Sequence, residues 1–175
     1  MKRLLEPIIA LSAAGLVASL VVHFCSLLGR PNPFGEYAWT LHIGIFVVWL
    51  PTVIVTNKVM RNSHVKQKDI WKVALMGCPS WMRYMTYGFF GYAFLNFGIF
   101  FLRTIGKDPK SIGPIVELQG FSGHWMAFYS AALSSLYSAS RQVESKCANG
   151  HVTSPAAKFC EECGSPVMTT IDGAS

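Results

Sequence analysis

The chain has 175 residues, of which 51% are apolar and 14% charged, with a mean hydropathy of +0.36 and a formal net charge of +6. Length alone would fit one soluble domain, but the placement of the charges excludes that class. All 15 Lys/Arg and all 9 Asp/Glu fall outside four segments: Pro7–Leu28, Trp39–Thr56, Tyr84–Leu102 and Phe121–Ala139.

These segments are 18 to 22 residues long, close to the ~20 that cross a bilayer's hydrocarbon as a helix. A helix satisfies its backbone hydrogen bonds internally, which lipid demands. The expected fold class is therefore an all-α membrane protein, a four-transmembrane-helix bundle over residues 1–141. Orientation follows from the Lys/Arg bias of the loops. The N-terminus and the second connection carry Lys2, Arg3, Lys58, Arg61, Lys66, Lys68, Lys72 and Arg83, against a single connecting acid, Asp69. The first and third connections carry Arg30, Arg103, Lys107 and Lys110. Both termini are thus expected in the cytoplasm, with a bacterial plasma membrane as the default location. A cleaved signal peptide fits the first segment less well. Its apolar run is long for that role, and no small-x-small site precedes a polar mature start. The basic residues concentrate beside the membrane, so anionic headgroups rather than nucleic acid are their expected partner.

In chain order, the first segment places Ser12, Gly15, Ser19, His23 and Ser26 on one face. Small residues let helices approach closely in lipid, so this stripe should face the bundle. Gly29-Arg-Pro-Asn-Pro-Phe-Gly35 is a dense turn signal, making the first two helices antiparallel neighbours. The second helix should begin near Trp39 and carries His42 on a face with Phe46, Trp49 and Val53. Pro51 bends it. In the second connection Trp71, Ala74, Leu75 and Cys78 have helical spacing among lysines, which fits a short helix lying in the membrane interface. Ser80 is a cap candidate for the third helix. That helix has Tyr84, Gly88, Gly91, Leu95, Gly98 and Leu102 on one narrow face. The glycines read as a packing groove and the phenylalanines as lipid-facing, with Asn96 positioned to hydrogen-bond across the bundle. In the outer loop Asp108-Pro109 and Gly113-Pro114 mark turns, and Ile115–Leu118 is expected along the membrane surface. The fourth helix carries His124, Ala127, Ala131, Ser134, Ser135 and Ser138 towards one side.

From residue 142 to 168 the chain turns polar and cysteine-bearing, and residues 169–175 read as a disordered tip. Cys147-Ala-Asn-Gly-His151 and Phe159-Cys160-Glu-Glu-Cys163-Gly164 supply four thiolate and imidazole ligands. Zn²⁺ takes such a set tetrahedrally, and a site closed by four protein ligands is structural rather than catalytic. A glycine after the second cysteine lets backbone N–H groups turn towards sulfur. Over about residues 146–167 this stretch resembles the zinc-ribbon family, in its small C-terminal form with an F-C-x-x-C-G-x-P half-site. It departs from that pattern in having C-x3-H for the first half. The resemblance implies a small structural Zn²⁺ module, and zinc ribbons serve diverse binding roles. A module this small has little apolar core, so the metal should supply most of its folding free energy.

The second constellation is intramembrane. His23, His42 and His124 should lie at similar depth, ~5–8 Å below the outer boundary at about 1.5 Å per residue. Three readings stand. They pack or hydrogen-bond near the interface, they bind a second metal or a b-type haem, or they handle protons or substrate. Glu36, Glu117 and Asn96 are candidate partners. No Gly-rich phosphate loop, nucleophile elbow or H-E-x-x-H motif occurs, so an enzyme is not expected. The expected function is a membrane scaffold or regulatory protein that presents the zinc ribbon, with the basic inner loop, to a protein partner. The alternatives are a small redox, metal- or haem-binding protein using the three histidines, and a channel formed by a homo-oligomer with the fourth helix's serines lining a path.

Overall fold

The computed structural model describes residues 2–61, 70–141, 145–153, 159–160 and 162–167. The expected disordered tip, 169–175, and the loop residues Lys66, Lys68, Asp69 and Lys158 lie outside them. The described residues are mostly helical and form five α-helices: α1 (Lys2–Leu27), α2 (Thr40–Arg61), α3 (Ile70–Ala74), α4 (Ser80–Thr104) and α5 (Pro114–Arg141). A 3-10 turn, Gly35–Trp39, leads into α2. Two short strands, β1 (Ser145–Lys146) and β2 (Val152–Thr153), pair antiparallel. Three stretches, Leu5–Leu27, Gly35–Lys58 and Ser80–Thr104, are long and apolar enough to cross a membrane.

Helix α5 is the centre of the bundle. It packs against α1, α4 and α2, and its buried residues run from Leu118 to Ser138. That position explains its composition. A helix enclosed by other helices meets backbone and hydroxyl partners rather than lipid, so it can carry Ser122, Ser130, Ser134, Ser135 and Ser138, all buried. On α1 the small-residue face points inward as its spacing indicates: Ser12, Ser19, His23 and Ser26 are buried. Ser12, Ser19 and Ser26 each return their hydroxyl to the carbonyl four residues earlier, which removes the cost of an unpaired donor. Tyr129 of α5 wedges between α1 and α2. Its ring covers Gly15 and its hydroxyl covers Gly44, so a Cβ at either glycine would collide with it. The same hydroxyl donates to Leu41 O at 2.8 Å, binding α5 to α2.

The buried face of α4 differs from the expected one. Gly88, Gly91 and Gly98 have nothing within 4 Å of where a Cβ would stand, and Tyr84, Leu95 and Leu102 beside them are 74, 68 and 74% exposed. Met82, Thr86, Ala93 and Asn96 face α5 instead. The physical reason is polarity. A hydroxyl or amide in lipid needs a partner, whereas glycine has no side chain to satisfy. Thr86 Oγ1 bonds Ser134 Oγ at 2.8 Å, and Asn96 Nδ2 donates to Gln119 O at 2.7 Å and Gly120 O at 3.1 Å. The cross-bundle role of Asn96 is as expected; the glycine groove is not.

Three boundaries also move. Ile115–Leu118 belongs to α5, which Pro114 opens at a first-turn position where its missing N–H costs nothing, with Glu117 in that turn. Ser80 makes no capping bond; Pro79 occupies the N-cap of α4. The short α3 also turns inward more than a surface helix would. Although Trp71 is half-exposed, Ala74, Leu75 and Cys78 are buried. Gly77 N–H donates to Ser138 Oγ at 2.8 Å, and Cys78 Sγ donates to Ser134 O at 3.0 Å. A Cβ on Gly77 would stand 2.7 Å from Ser138 O, so this close approach requires glycine. Burial pushes the Cys78 thiol up to about 11, against the opposing pull of Arg83.

Candidate metal centre

Two local turns build the site. In the first, Cys147 N–H donates to His151 O at 3.0 Å, and Gly150 N–H donates to Cys147 O at 2.9 Å. Gly150 has a φ of 81°, the left-handed region that a residue with a Cβ enters at a cost. The strands β1 and β2 extend this hairpin on either side. In the second turn, Cys160 N–H donates to Ser165 O and Gly164 N–H to Cys160 O, both at 2.8 Å. Gly164 has a φ of 68°, the turn expected after the second cysteine, and a bridge between Phe159 and Pro166 closes its base.

The turns bring Cys147, His151, Cys160 and Cys163 together, with one ligand atom from each lying within 4.8 Å of all the others. Two edges of that figure are Cys147 Sγ to Cys163 Sγ and Cys160 Sγ to His151 Nδ1, each 3.7 Å. A disulfide would need about 2.05 Å. A tetrahedral ion with metal–sulfur bonds of about 2.3 Å and a metal–nitrogen bond of about 2.0–2.1 Å has edges of roughly 3.5–3.8 Å. The four residues therefore form a group able to hold a metal ion. Cys147 and Cys160 are buried, together with Val167, while Cys163 is exposed and His151 half-exposed.

The electrostatics favour the thiolate form of Cys163. Hydrogen bonds from the Ser165 hydroxyl and backbone N–H, then from His151, hold the Cys163 thiol down at about 5. A thiolate is the form that binds metal. The same contacts with Cys163 and Cys160, aided by Glu162, raise His151 above the ordinary imidazole value. His151 presents Nδ1 to the cluster, and its Nε2 lies 3.5 Å from Glu162 Oε2. A carboxylate on the outer nitrogen fixes the ring's tautomer and orientation. Residue spacing did not single out Glu162, although its place between two ligands was a signal.

The helix histidines divide. His42 and His124 meet, ring centroids 5.5 Å apart, among Trp39, Phe121 and Trp125. Trp125 Nε1 donates to His42 Nδ1 at 3.0 Å. An indole N–H can only donate, so His42 Nδ1 must accept, and in the neutral ring the proton sits on Nε2. Neither nitrogen then offers a free lone pair. His23 stands apart from that pair. Its Nδ1 bonds Ser122 Oγ at 2.7 Å and its Nε2 bonds the Tyr92 hydroxyl. Asn96 is committed to α5 carbonyls rather than to any histidine. Sequence reasoning missed Ser122, Tyr92 and Trp125 because the partners lie 99, 69 and 83 residues from their histidines.

No protein family, curated protein or solved structure matches this chain, so its chemistry is argued from its own residues.

Proposed function

We propose that the protein is an integral membrane scaffold that presents a small zinc-stapled module to a partner at the cytoplasmic membrane surface. The observation that carries this reading is the tail cluster, whose 3.7 Å edges suit a tetrahedral ion. Zinc is favoured over iron by the mixed ligand set, since an imidazole beside three thiolates suits Zn²⁺. All four positions are protein ligands, so the ion has no open site for substrate and serves as a staple. The module is then a zinc ribbon with two turned half-sites.

The fourth span of the reading is Phe121–Ala139 of α5, which has no charged residue. Its serines are spent on packing inside the bundle, which also weighs against the channel alternative. Ser134 bonds Thr86 and Ser138 accepts from Gly77, so neither is left to line a path. The intramembrane metal or haem reading is weakened likewise, because His23 and His42 have both ring nitrogens or the accepting nitrogen engaged. With both termini cytoplasmic, the basic side of the bundle and the module share one membrane face.

A photo-crosslinking residue at exposed Phe159 or Asn149 in living cells tests the proposal. Cross-links to a discrete cytosolic protein, lost when Cys160 and Cys163 become Ser, support it. Cross-links unaffected by that double change, or a module labelled from outside the cell, refute it.

A further inference from the structure

Of the five cysteines, Cys163 alone is exposed. Cys147 and Cys160 are only 5 and 3% exposed. Cys78 is buried and gives its thiol proton to Ser134 O, and Cys25 is half-buried on α1. The exposed thiol also has a second sulfur beside it, Cys147 Sγ at 3.7 Å, which comes from the other turn, 16 residues earlier. Cys160 is shielded from solvent and lies against His151 Nδ1 instead, also at 3.7 Å. A thiolate is both the form that ligates metal and the nucleophile that a peroxide oxidises. Reversible oxidation needs such a sulfur within reach of solvent and a resolving cysteine next to it. Cys163 and Cys147 meet both conditions.

We propose that Cys163 and Cys147 form a latch on the tail module that hydrogen peroxide opens. The Cys163 sulfur attacks the peroxide, the O–O bond breaks, and Cys163 becomes a sulfenic acid. The Cys147 sulfur then attacks the Cys163 sulfur, the S–O bond breaks, and a disulfide forms. Each oxygen leaves as hydroxide and takes a proton from solvent. The two thiolates lose two electrons between them, and the peroxide is reduced to two waters. Only Cys160 and His151 then remain of the ligand set, too few to close a four-coordinate site. Because a module this small depends on its ion to fold, oxidation dismantles the surface offered to a partner, and a dithiol restores it. The latch presupposes the zinc module proposed above, whose resting state in a reducing cytoplasm is the ligated one.

The test uses full-length, zinc-loaded protein in detergent, freed of reductant and exposed to hydrogen peroxide. Zinc released to a chromogenic chelator is followed alongside peptide mapping of the cysteines. About one zinc and two free thiols per chain should be lost in step, with Cys147 joined to Cys163, and dithiothreitol with Zn²⁺ should reverse the change. Cys163→His keeps four ligands of zinc type and should hold its metal roughly tenfold longer in peroxide. In Cys147→His, dimedone should trap Cys163 as the sulfenic acid. Should neither variant bind zinc, the disulfide map of the native protein decides. A bridge from Cys160 to either other cysteine, or zinc release with Cys163 still reduced, would overturn the latch. Zinc bound and retained in excess peroxide would overturn the latch alone, whereas a protein that takes up no zinc would overturn the module and the latch with it.

Discussion

Replacing Gly123 by Ala puts one methyl group into the seam between α4 and α5. The new Cβ would stand 2.5 Å from Asn96 Nδ2, 3.1 Å from its Cγ and 3.3 Å from its Cβ. Van der Waals contact is about 3.5–4.0 Å, so the amide must retreat by ~1 Å. That retreat weakens or breaks its bonds to Gln119 O and Gly120 O. A hydrogen bond between membrane helices contributes ~0.6–1.7 kcal/mol, and one methylene of overpacking costs ~1–3 kcal/mol. Together these give about 2–4 kcal/mol. For a chain of this length, that lowers Tm by on the order of 5–15 °C, read by circular dichroism in detergent. Asn96→Ala alone loses both bonds but adds no overpacking, and should cost less. In an Asn96→Ala background the added methyl finds vacated space, so Gly123→Ala should cost less than half as much there, a coupling that a double-mutant cycle measures. A neutral Gly123→Ala, or strict additivity, would refute the packing described for this seam.

Three further outcomes follow from the tail and from Cys78. On the proposed reading, in which an ion rather than apolar burial holds the module, Cys160→Ser with Cys163→Ser should abolish metal binding and expose the tail to protease while leaving the bundle's Tm unchanged. A fall in the bundle's Tm would show the two parts to be coupled. Glu162→Gln should weaken metal affinity by about tenfold in chelator competition, the lower end of the usual effect of removing a histidine-orienting group. Glu162→Asp should restore most of it, and equal affinity in all three proteins would deny Glu162 that role. The Cys78 thiol is raised by burial from 9.0 to about 11. The folded state therefore favours the neutral thiol, so its contribution to stability is complete below about pH 9 and is lost as pH rises towards 11. Tm should fall across that window in the native protein and fall less in Cys78→Ala, and maleimide should leave Cys78 unmodified at pH 8 until the protein unfolds.

How much of this was legible depends on how local each signal is. Charge exclusion located the apolar helices, because a charged side chain in lipid is costly enough to dominate any other preference. The tail was legible for a similar reason: its four ligands fall within 17 residues, and the two glycines that turn the chain follow or lie between them. Helix direction was less secure. On α1 the small residues and the polar ones share a face, so either rule finds the bundle. On α4 they separate, and polarity wins: Thr86 and Asn96 turn inward while Gly88, Gly91 and Gly98 are left outside. The start of α5 was present in Gly113-Pro114 and Glu117, as proline at a first helical position with an acid in the first turn, and it was read as a turn instead. The histidine environments could not be read at all from spacing. Equal depth brought His42 and His124 together, but whether a ring nitrogen remains free depends on Ser122, Tyr92 and Trp125 arriving from distant segments.

The central claim is one structural zinc in the tail and no metal or haem in the bundle. Elemental analysis of the full-length purified protein, with an absorption spectrum of the same sample, tests it most directly. The account predicts one zinc per chain, lost in Cys160→Ser with Cys163→Ser, and no absorption band in the visible. A zinc-free protein with a folded tail, or a Soret band or second metal equivalent lost in His23→Ala or His124→Ala, would contradict it.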